Sequence, residues 1–213
     1  MNAIFDNLKE LFNKNGFRLY MIGSASRDYL LNKEIKDYDF VTDATPIEIA
    51  KFLDCDLTFS RFGCVKYKLN NKHIDIVTLR RESDYEDNRH PNKIIFIKDI
   101  NEDYKRRDLT INAIYIDENY KILDVSKQGY EDLKNHKLRF IGDPLKRIKE
   151  DPLRILRAKR FALEYNLDIE ESVKKILKEN EYLLNELNKA KIDEELRKLK
   201  AVEESLWKIF HIL

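Results

Sequence analysis

The chain changes character at about residue 142, and that change limits its possible folds more than any other feature. Before it, short apolar runs with period-two spacing alternate with brief helical stripes and are broken by Gly, Asn and Pro. From Asp143 onward every segment has helical spacing: residues 144–149, 152–165, 169–187 and 192 to about 210. The expectation is an α+β protein in two parts. Residues 1–142 form a head with a mixed β-sheet and flanking helices, and residues 143–213 an all-helical neck. At 213 residues the chain has room for one domain with a helical appendage.

Within the head, Ile4, Phe5, Leu8, Leu11 and Phe12 share one helical stripe that Gly16 ends. A strand over 17–22 leads into a tight turn at Gly23 to Ser26 and a short helix from Arg27. A second strand spans 38–42, and Thr45-Pro46 caps a helix to Phe52. Residues 65–69 and 73–79 pair as a hairpin across Asn70-Asn71, a dipeptide that tolerates positive φ. The polar stretch from Arg80 to Lys98 is expected to be a mobile loop ending in a short strand at 94–97. A brief helix from Asn101 then precedes strands at 113–116 and 121–124, and the character changes after residues 137–141.

Composition narrows the function classes. Forty Lys and Arg against 39 Asp and Glu leave a net charge of +1, so any nucleic-acid surface has to be local. Two cysteines, Cys55 and Cys64, make no disulfide framework, and no His/Cys cluster has zinc spacing. The N-terminal segment, with Lys9 and Glu10 inside its helix, is not a signal peptide, and no apolar run approaches membrane-spanning length. A cytoplasmic protein is expected.

The chemistry concentrates in four places. Gly23-Ser24 ahead of a helix lets backbone approach a phosphate. Asp37-Tyr38-Asp39 puts two carboxylates on one side of a strand. Two carboxylates that close repel one another unless a cation lies between them. Mg²⁺ takes one or two carboxylates plus phosphate oxygens, so a nucleoside triphosphate is the natural third party. Asp75, inside the apolar strand Ile74 to Ile76, offers a third carboxylate, although an edge position facing water would also accommodate it.

Arg106-Arg107-Asp108, followed by Asn112, supplies guanidiniums for a triphosphate and a carboxylate for a ribose hydroxyl. In Glu150-Asp151-Pro152-Leu153-Arg154, Asp151 fits a helix N-cap with Arg154 on the same face. That pair can template a base: the carboxylate accepts from an exocyclic amine and the guanidinium donates to the adjacent ring nitrogen. Cytosine and adenine share this pattern, whereas uracil and guanine meet repulsion at both groups. Taken alone, the same residues also make a capped helix with an i,i+3 salt bridge. Around them Lys146, Arg147, Lys149, Arg157, Lys159 and Arg160 form a local basic surface suited to a phosphate backbone.

Together these stretches resemble the class II tRNA nucleotidyltransferase and bacterial poly(A) polymerase family over roughly residues 17–165. Tyr20 through Thr45-Pro46 is similar to its first motif, with Arg27-Asp28 after the glycine turn and Asp37 and Asp39 at the metal-binding pair. Arg106 through Ala113 resembles its ribose and triphosphate motif. Asp143 to Arg147 and Glu150 to Phe161 resemble its base-templating motif. Ser24 and Ser26 stand where the family often has Gly and Val.

The resemblance implies attack of an RNA 3′-hydroxyl on the α-phosphate of CTP or ATP, releasing pyrophosphate, with a tRNA CCA end as product. Asp37 and Asp39 would bind Mg²⁺, or Mn²⁺ in its place, and Asp75 would ligate the ion or take the proton. Gly23, Ser24, Arg27, Arg106, Arg107, Asp108, Asn112, Asp151, Arg154 and Arg157 would bind nucleotide. Lys146, Arg147, Lys159 and Arg160 would contact RNA. The loop with Arg89-His90-Pro91 is not shortened, which in this family goes with addition of A as well as C. The alternatives are 3′ adenylation of other RNAs and a non-catalytic RNA- or nucleotide-binding module.

At its C-terminal end the chain is expected to depart from the family, as a form without body and tail domains. The chain is expected to be a natural short form, a fragment or one member of an assembly. The candidate partners are then a second copy of the chain, through its neck helices, or another chain in place of those domains.

Overall fold

The computed structural model describes residues 2–85 and 91–211. Packing divides the chain into two compact units. The first comprises Met1–Ser83, Lys93–Arg107 and Ile111–Tyr130; the second comprises Asp84–Asn92, Asp108–Thr110 and Glu131–Leu213.

In the first unit α1 (Ala3–Lys14) begins where the Asn2 side chain accepts from the Ile4 and Phe5 N–H groups, both at 3.1 Å. Its stripe buries Phe5, Leu8 and Phe12. Then come β1 (Leu19–Met21), α2 (Gly23–Leu30), β2 (Tyr38–Thr42) and α3 (Pro46–Ile49), the last opened by a Thr45/Glu48 capping box. β3 (Cys64–Leu69) and β4 (Lys72–Thr78) form the expected hairpin, with Asn70 and Asn71 at φ +49° and +62°.

The expected loop at 80–98 is instead a pair of strands, β5 (Arg80–Tyr85) and β6 (Pro91–Phe96), joined as a two-stranded sheet. The first strand's polar sequence carries no apolar alternation, so only its partner reveals it. Arg89 and His90 lie outside the described residues. α4 (Ile100–Asp103), β7 (Ile114–Ile116) and β8 (Ile122–Asp124) complete this unit.

The main sheet runs β3-β4-β2-β1-β7-β8 and is mixed: β2 and β4 are parallel, and the remaining neighbours are antiparallel. One face carries Leu19, Met21, Phe40, Ile74, Ile76 and Ile116 into a core with Phe5, Leu8, Phe12 and Ala25. The other carries a smaller cluster of Tyr20, Ile22, Val41, Leu79 and Tyr115.

The second unit holds most of α5 (Gly129–Lys134), then β9 (Lys137–Leu138), α6 (Pro144–Glu150), α7 (Arg154–Glu164), β10 (Asp168–Ile169), α8 (Glu171–Glu179) and α9 (Lys189–His211). The region beyond 143 is therefore not wholly helical. Asn166, at φ +51°, ends α7 in the left-handed region, and the chain then pairs as β10 parallel to β9. Among the described residues no helix is long and apolar enough to cross a membrane.

Candidate active site

Strand alternation builds the first half of the site. Tyr38 and Phe40 of β2 stand beside Ile74 and Ile76 of β4 on the buried face, so the intervening register pair, Asp39 and Asp75, shares the opposite face. Neighbouring strands lie about 4.8 Å apart, which holds the two carboxylates as neighbours. Asp37 is exposed, one residue ahead of β2.

The Gly23-Ser24 turn closes over Asp39. Ser24 Oγ lies 2.8 Å from Asp39 Oδ2 and 3.0 Å from the Asp37 carbonyl, with one proton to share between them. The Ser24 N–H also donates to Asp39 Oδ2, at 3.3 Å. Gly23 has φ +62°, and a Cβ there would stand 2.8 Å from the same oxygen. Helix α2 begins at Gly23 itself, not at Arg27, so the turn and the first helical N–H groups are one element.

Burial pushes the Asp39 carboxyl above its ordinary value, and Asp75 adds to the rise; the Ser24 bonds and Arg27 oppose it without cancelling it. Asp75 is half-exposed and takes both ends of a Lys66 ion pair, at 2.9 and 3.1 Å. It is thus no buried orphan in an apolar strand, because β3 places Lys66 directly beside it.

Among the described residues no three His, Cys, Asp or Glu side chains gather as a metal cage. Two or three oxygen donors on one face, with Asp39 raised by burial, suit a hard cation that draws its remaining ligands from phosphate.

The other expected residues fall into clusters of opposite charge. Arg27 is buried and donates through Nη1 to the Asn112 side-chain oxygen, so these two brace one another. Arg106 and Arg107 fork onto Asp103, a fully buried carboxylate that sequence reasoning passed over. Arg106 Nε reaches Oδ1 at 2.8 Å and Arg107 Nη2 reaches Oδ2 at 2.8 Å. The Arg80 N–H at 3.0 Å and the Tyr115 hydroxyl at 2.8 Å also donate to Asp103. Burial alone would raise the Asp103 pKa, yet Arg106 and Arg107 hold it well below the usual carboxylate range.

In the second unit Asp108 Oδ2 accepts from Arg157 at 2.7 and 2.8 Å, while Oδ1 takes the Leu109 N–H at 2.8 Å. Asp151 caps no helix through its own position: α7 starts at Arg154, and Asp151 ends α6 in an extended conformation. Its carboxylate accepts from the Leu153 N–H at 3.1 Å. Arg154 is buried and bonded to Glu150.

The expected basic surface is smaller than its sequence suggests. Lys146 is exposed, and Lys159 pairs with Glu181. Arg147 is buried against Glu150, and Arg160 turns to Glu195 at 2.6 Å and Glu164 at 2.9 Å. The partners Glu150 and Glu164 lie three and four residues on, a spacing that signalled these pairs in the sequence.

A six-stranded mixed sheet with helices on its apolar face, and an in-register carboxylate pair on the other with a Gly-Ser turn over one of them, defines a nucleotidyltransferase head. The chain belongs to the poly A polymerase head domain family, whose pattern it matches over residues 19–139. It is 39% identical to the CCA-adding enzyme of Lactobacillus helveticus over 188 residues, which is 86% of this chain and 46% of that protein. With the Staphylococcus saprophyticus CCA-adding enzyme it shares 37% identity over 175 residues, 80% of this chain and 44% of the relative.

Two solved structures are similar. The Bacillus stearothermophilus CCA-adding enzyme in complex with CTP gives a TM-score of 0.82 at 28% identity, covering 93% of this chain and 49% of that one. The Thermotoga maritima CCA-adding enzyme complexed with tRNA gives 0.72 at 26% identity, covering 92% and 46%. The chain spans about half the length of the curated relatives it matches.

Proposed function

We propose that this chain transfers nucleotides without a template onto an RNA 3′ end, adding C and A to tRNA from CTP and ATP. The observation that carries the reading is the in-register pair Asp39 and Asp75, with the Gly23-Ser24 turn closed over Asp39. Its likeness to CCA-adding enzymes, one in complex with CTP and one complexed with tRNA, supports the choice of substrates.

In this reading Asp37 and Asp39 hold Mg²⁺, or Mn²⁺ in its place, and Asp75 supplies the third carboxylate. The bound cation supplies Lewis-acid polarisation of the α-phosphate and a more acidic attacking hydroxyl. Ser24 fixes the Asp39 oxygen, and the Gly23 backbone leaves space beside it. Arg106 and Arg107, oriented by Asp103, face phosphate charge; Arg27 and Asn112 brace one another behind the nucleotide. Asp108, oriented by Arg157, meets the ribose, and Asp151 with Arg154 reads the base. Lys146 and Lys159 meet the RNA backbone. A cytoplasmic setting, with Cys55 and Cys64 both free, accords with this work on tRNA.

The test is incubation of the purified chain with tRNA lacking its terminal CCA and each labelled triphosphate separately. Incorporation of C and A, and not of U or G, is expected. No incorporation into any RNA with either cation would overturn the reading. Incorporation of A alone on arbitrary RNA would replace it with poly(A) addition, the activity for which the matched family is described.

A further inference from the structure

Two substrates have to reach the carboxylate pair, and the turn at Gly23 serves only one of them. We propose that Phe59 binds the other: its exposed ring stacks on the 3′-terminal base of the RNA acceptor and sets the terminal hydroxyl beside Asp75. The inference rests on the RNA-extending reaction proposed above.

An in-line displacement puts the attacking and leaving oxygens on opposite sides of the phosphorus. Ser24 and the first N–H groups of α2 follow β1, on one flank of β2, so a triphosphate bound there directs its pyrophosphate to that flank. The attacking hydroxyl then comes from the other flank, where β4 carries Asp75 and the edge strand β3 carries Lys66.

Phe59 stands at that second flank. Its carbonyl accepts from the Phe62 N–H at 3.0 Å and the Cys64 N–H at 3.3 Å, which fixes its backbone at the entry to β3. Lys66 Nζ lies 2.9 Å from Asp75 Oδ1 and 5.5 Å from the centre of the Phe59 ring, so one ammonium joins ring and carboxylate. Asp56, paired with Lys66 across a backbone bridge, is taken up by the Thr58 N–H and hydroxyl at 2.8 and 2.6 Å. The ring nevertheless stays 44% exposed. A single exposed aromatic needs no explanation on its own. This one is tethered to the carboxylate on the acceptor's flank. Lys68, exposed on the same face of β3 as Lys66, supplies charge for an adjoining phosphate.

The proposed reaction also asks for tolerance at this point. When C and A are added in turn, the terminal base of the acceptor changes, so its subsite has to accept more than one base. Hydrogen-bonding groups would read the base edge, whereas an aromatic face takes every base by stacking. A phenylalanine ring offers that face with no donor or acceptor of its own.

The test uses tRNA lacking its terminal CCA, with the fluorescent base 2-aminopurine at its 3′ end, titrated with the full chain and Mg²⁺ in the absence of triphosphate. Wild type and Phe59→Tyr should quench the fluorescence by stacking. Phe59→Leu, which keeps apolar bulk without a ring, should not, and Phe59→Ala serves if Phe59→Leu does not fold. In incorporation assays Phe59→Leu should raise KM for the tRNA about tenfold and leave KM for CTP within about twofold of wild type. Phe59→Tyr should restore the tRNA value. The proposal is overturned if Phe59→Leu quenches as wild type does, or if it raises both KM values alike. It is equally overturned if wild type extends the tRNA without quenching its terminal base, an outcome that leaves the proposed reaction standing. A wild type that neither quenches nor incorporates nucleotide removes the reaction and the stacking site together.

Discussion

Two carboxylates in the first unit, Asp39 and Asp103, respond to burial in opposite ways. Asp39 meets a hydroxyl, a backbone N–H and a second carboxylate in register, and its pKa is raised. Asp103, fully buried, meets two guanidiniums, a backbone N–H and a phenol, and its pKa is lowered. The difference lies in what remains unfinished. Asp103 is neutralised by the protein itself and serves as a strut. Asp39 is left with a charge that the fold does not neutralise, and a group in that condition gains from a cationic ligand.

The sharpest way to break this contrast is Asp39→Asn. In the proposed reaction incorporation should fall by about a thousandfold or more, since the substitution removes a charged cation ligand. The same variant should melt at a higher temperature than wild type in the absence of Mg²⁺. A lower melting temperature would contradict the view that the Asp39 charge is held at a cost. Next in size, Asp103→Ala should destabilise the protein by about 3–5 kcal/mol in urea unfolding, because it removes the buried carboxylate onto which Arg106 and Arg107 both fork. A loss below ~1 kcal/mol would mean that the cluster is no strut.

Gly23→Ala tests the turn that separates the two environments. A Cβ at φ +62° and 2.8 Å from Asp39 Oδ2 should cost about 1–3 kcal/mol and displace that oxygen. Incorporation should then fall more than stability does. An alanine variant with wild-type activity would show that the close approach is dispensable.

The smallest effects are in the pH dependence, and their signs oppose. The folded-state pKa of Asp39 is raised, so its contribution favours folding below the unfolded value near 4 and is lost as pH rises through the folded value. The stability gained by Asp39→Asn should therefore be present at neutral pH and fade below about pH 4. Asp103 is lowered, so its contribution is full above the unfolded value and is lost as pH falls toward the folded value. The deficit of Asp103→Asn should shrink in acid. Mg²⁺ should raise the melting temperature of wild type by a few degrees and leave Asp39→Asn unmoved; equal shifts in both would detach the cation from Asp39.

Features carried by local spacing were legible in the sequence. The stripe of α1, the Asn70-Asn71 hairpin and the alternation that sends Asp39 away from Phe40 all follow from a few neighbouring residues. Asp75 attracted notice as a charge in an apolar strand, but its partners did not, because the parallel β2/β4 pairing and the β3 register that brings Lys66 are long-range. Asp103 sat three and four residues ahead of Arg106 and Arg107 in plain view, and only its burial turned that spacing into a cluster. Arg147 and Arg160 looked like exposed cations because charge alone does not tell which helix face turns inward. β5 was hidden because a polar strand announces itself only through its partner.

The central place of β1 carries a consequence for how the protein is made. Met21 lies beside Phe40 on one side and Ile116 on the other, so the strand leading into the Gly23 turn is flanked on one edge by a much later segment. On the ribosome that edge keeps its N–H and C=O groups in water until Ile114–Ile116 has been synthesised. Tyr120 follows, and its hydroxyl accepts from the Asn2 N–H and donates to Asp6, fastening the first helix. The earliest strand in translation is therefore flanked on that edge by one of the later strands, and the first helix is fastened only after Tyr120 has been synthesised.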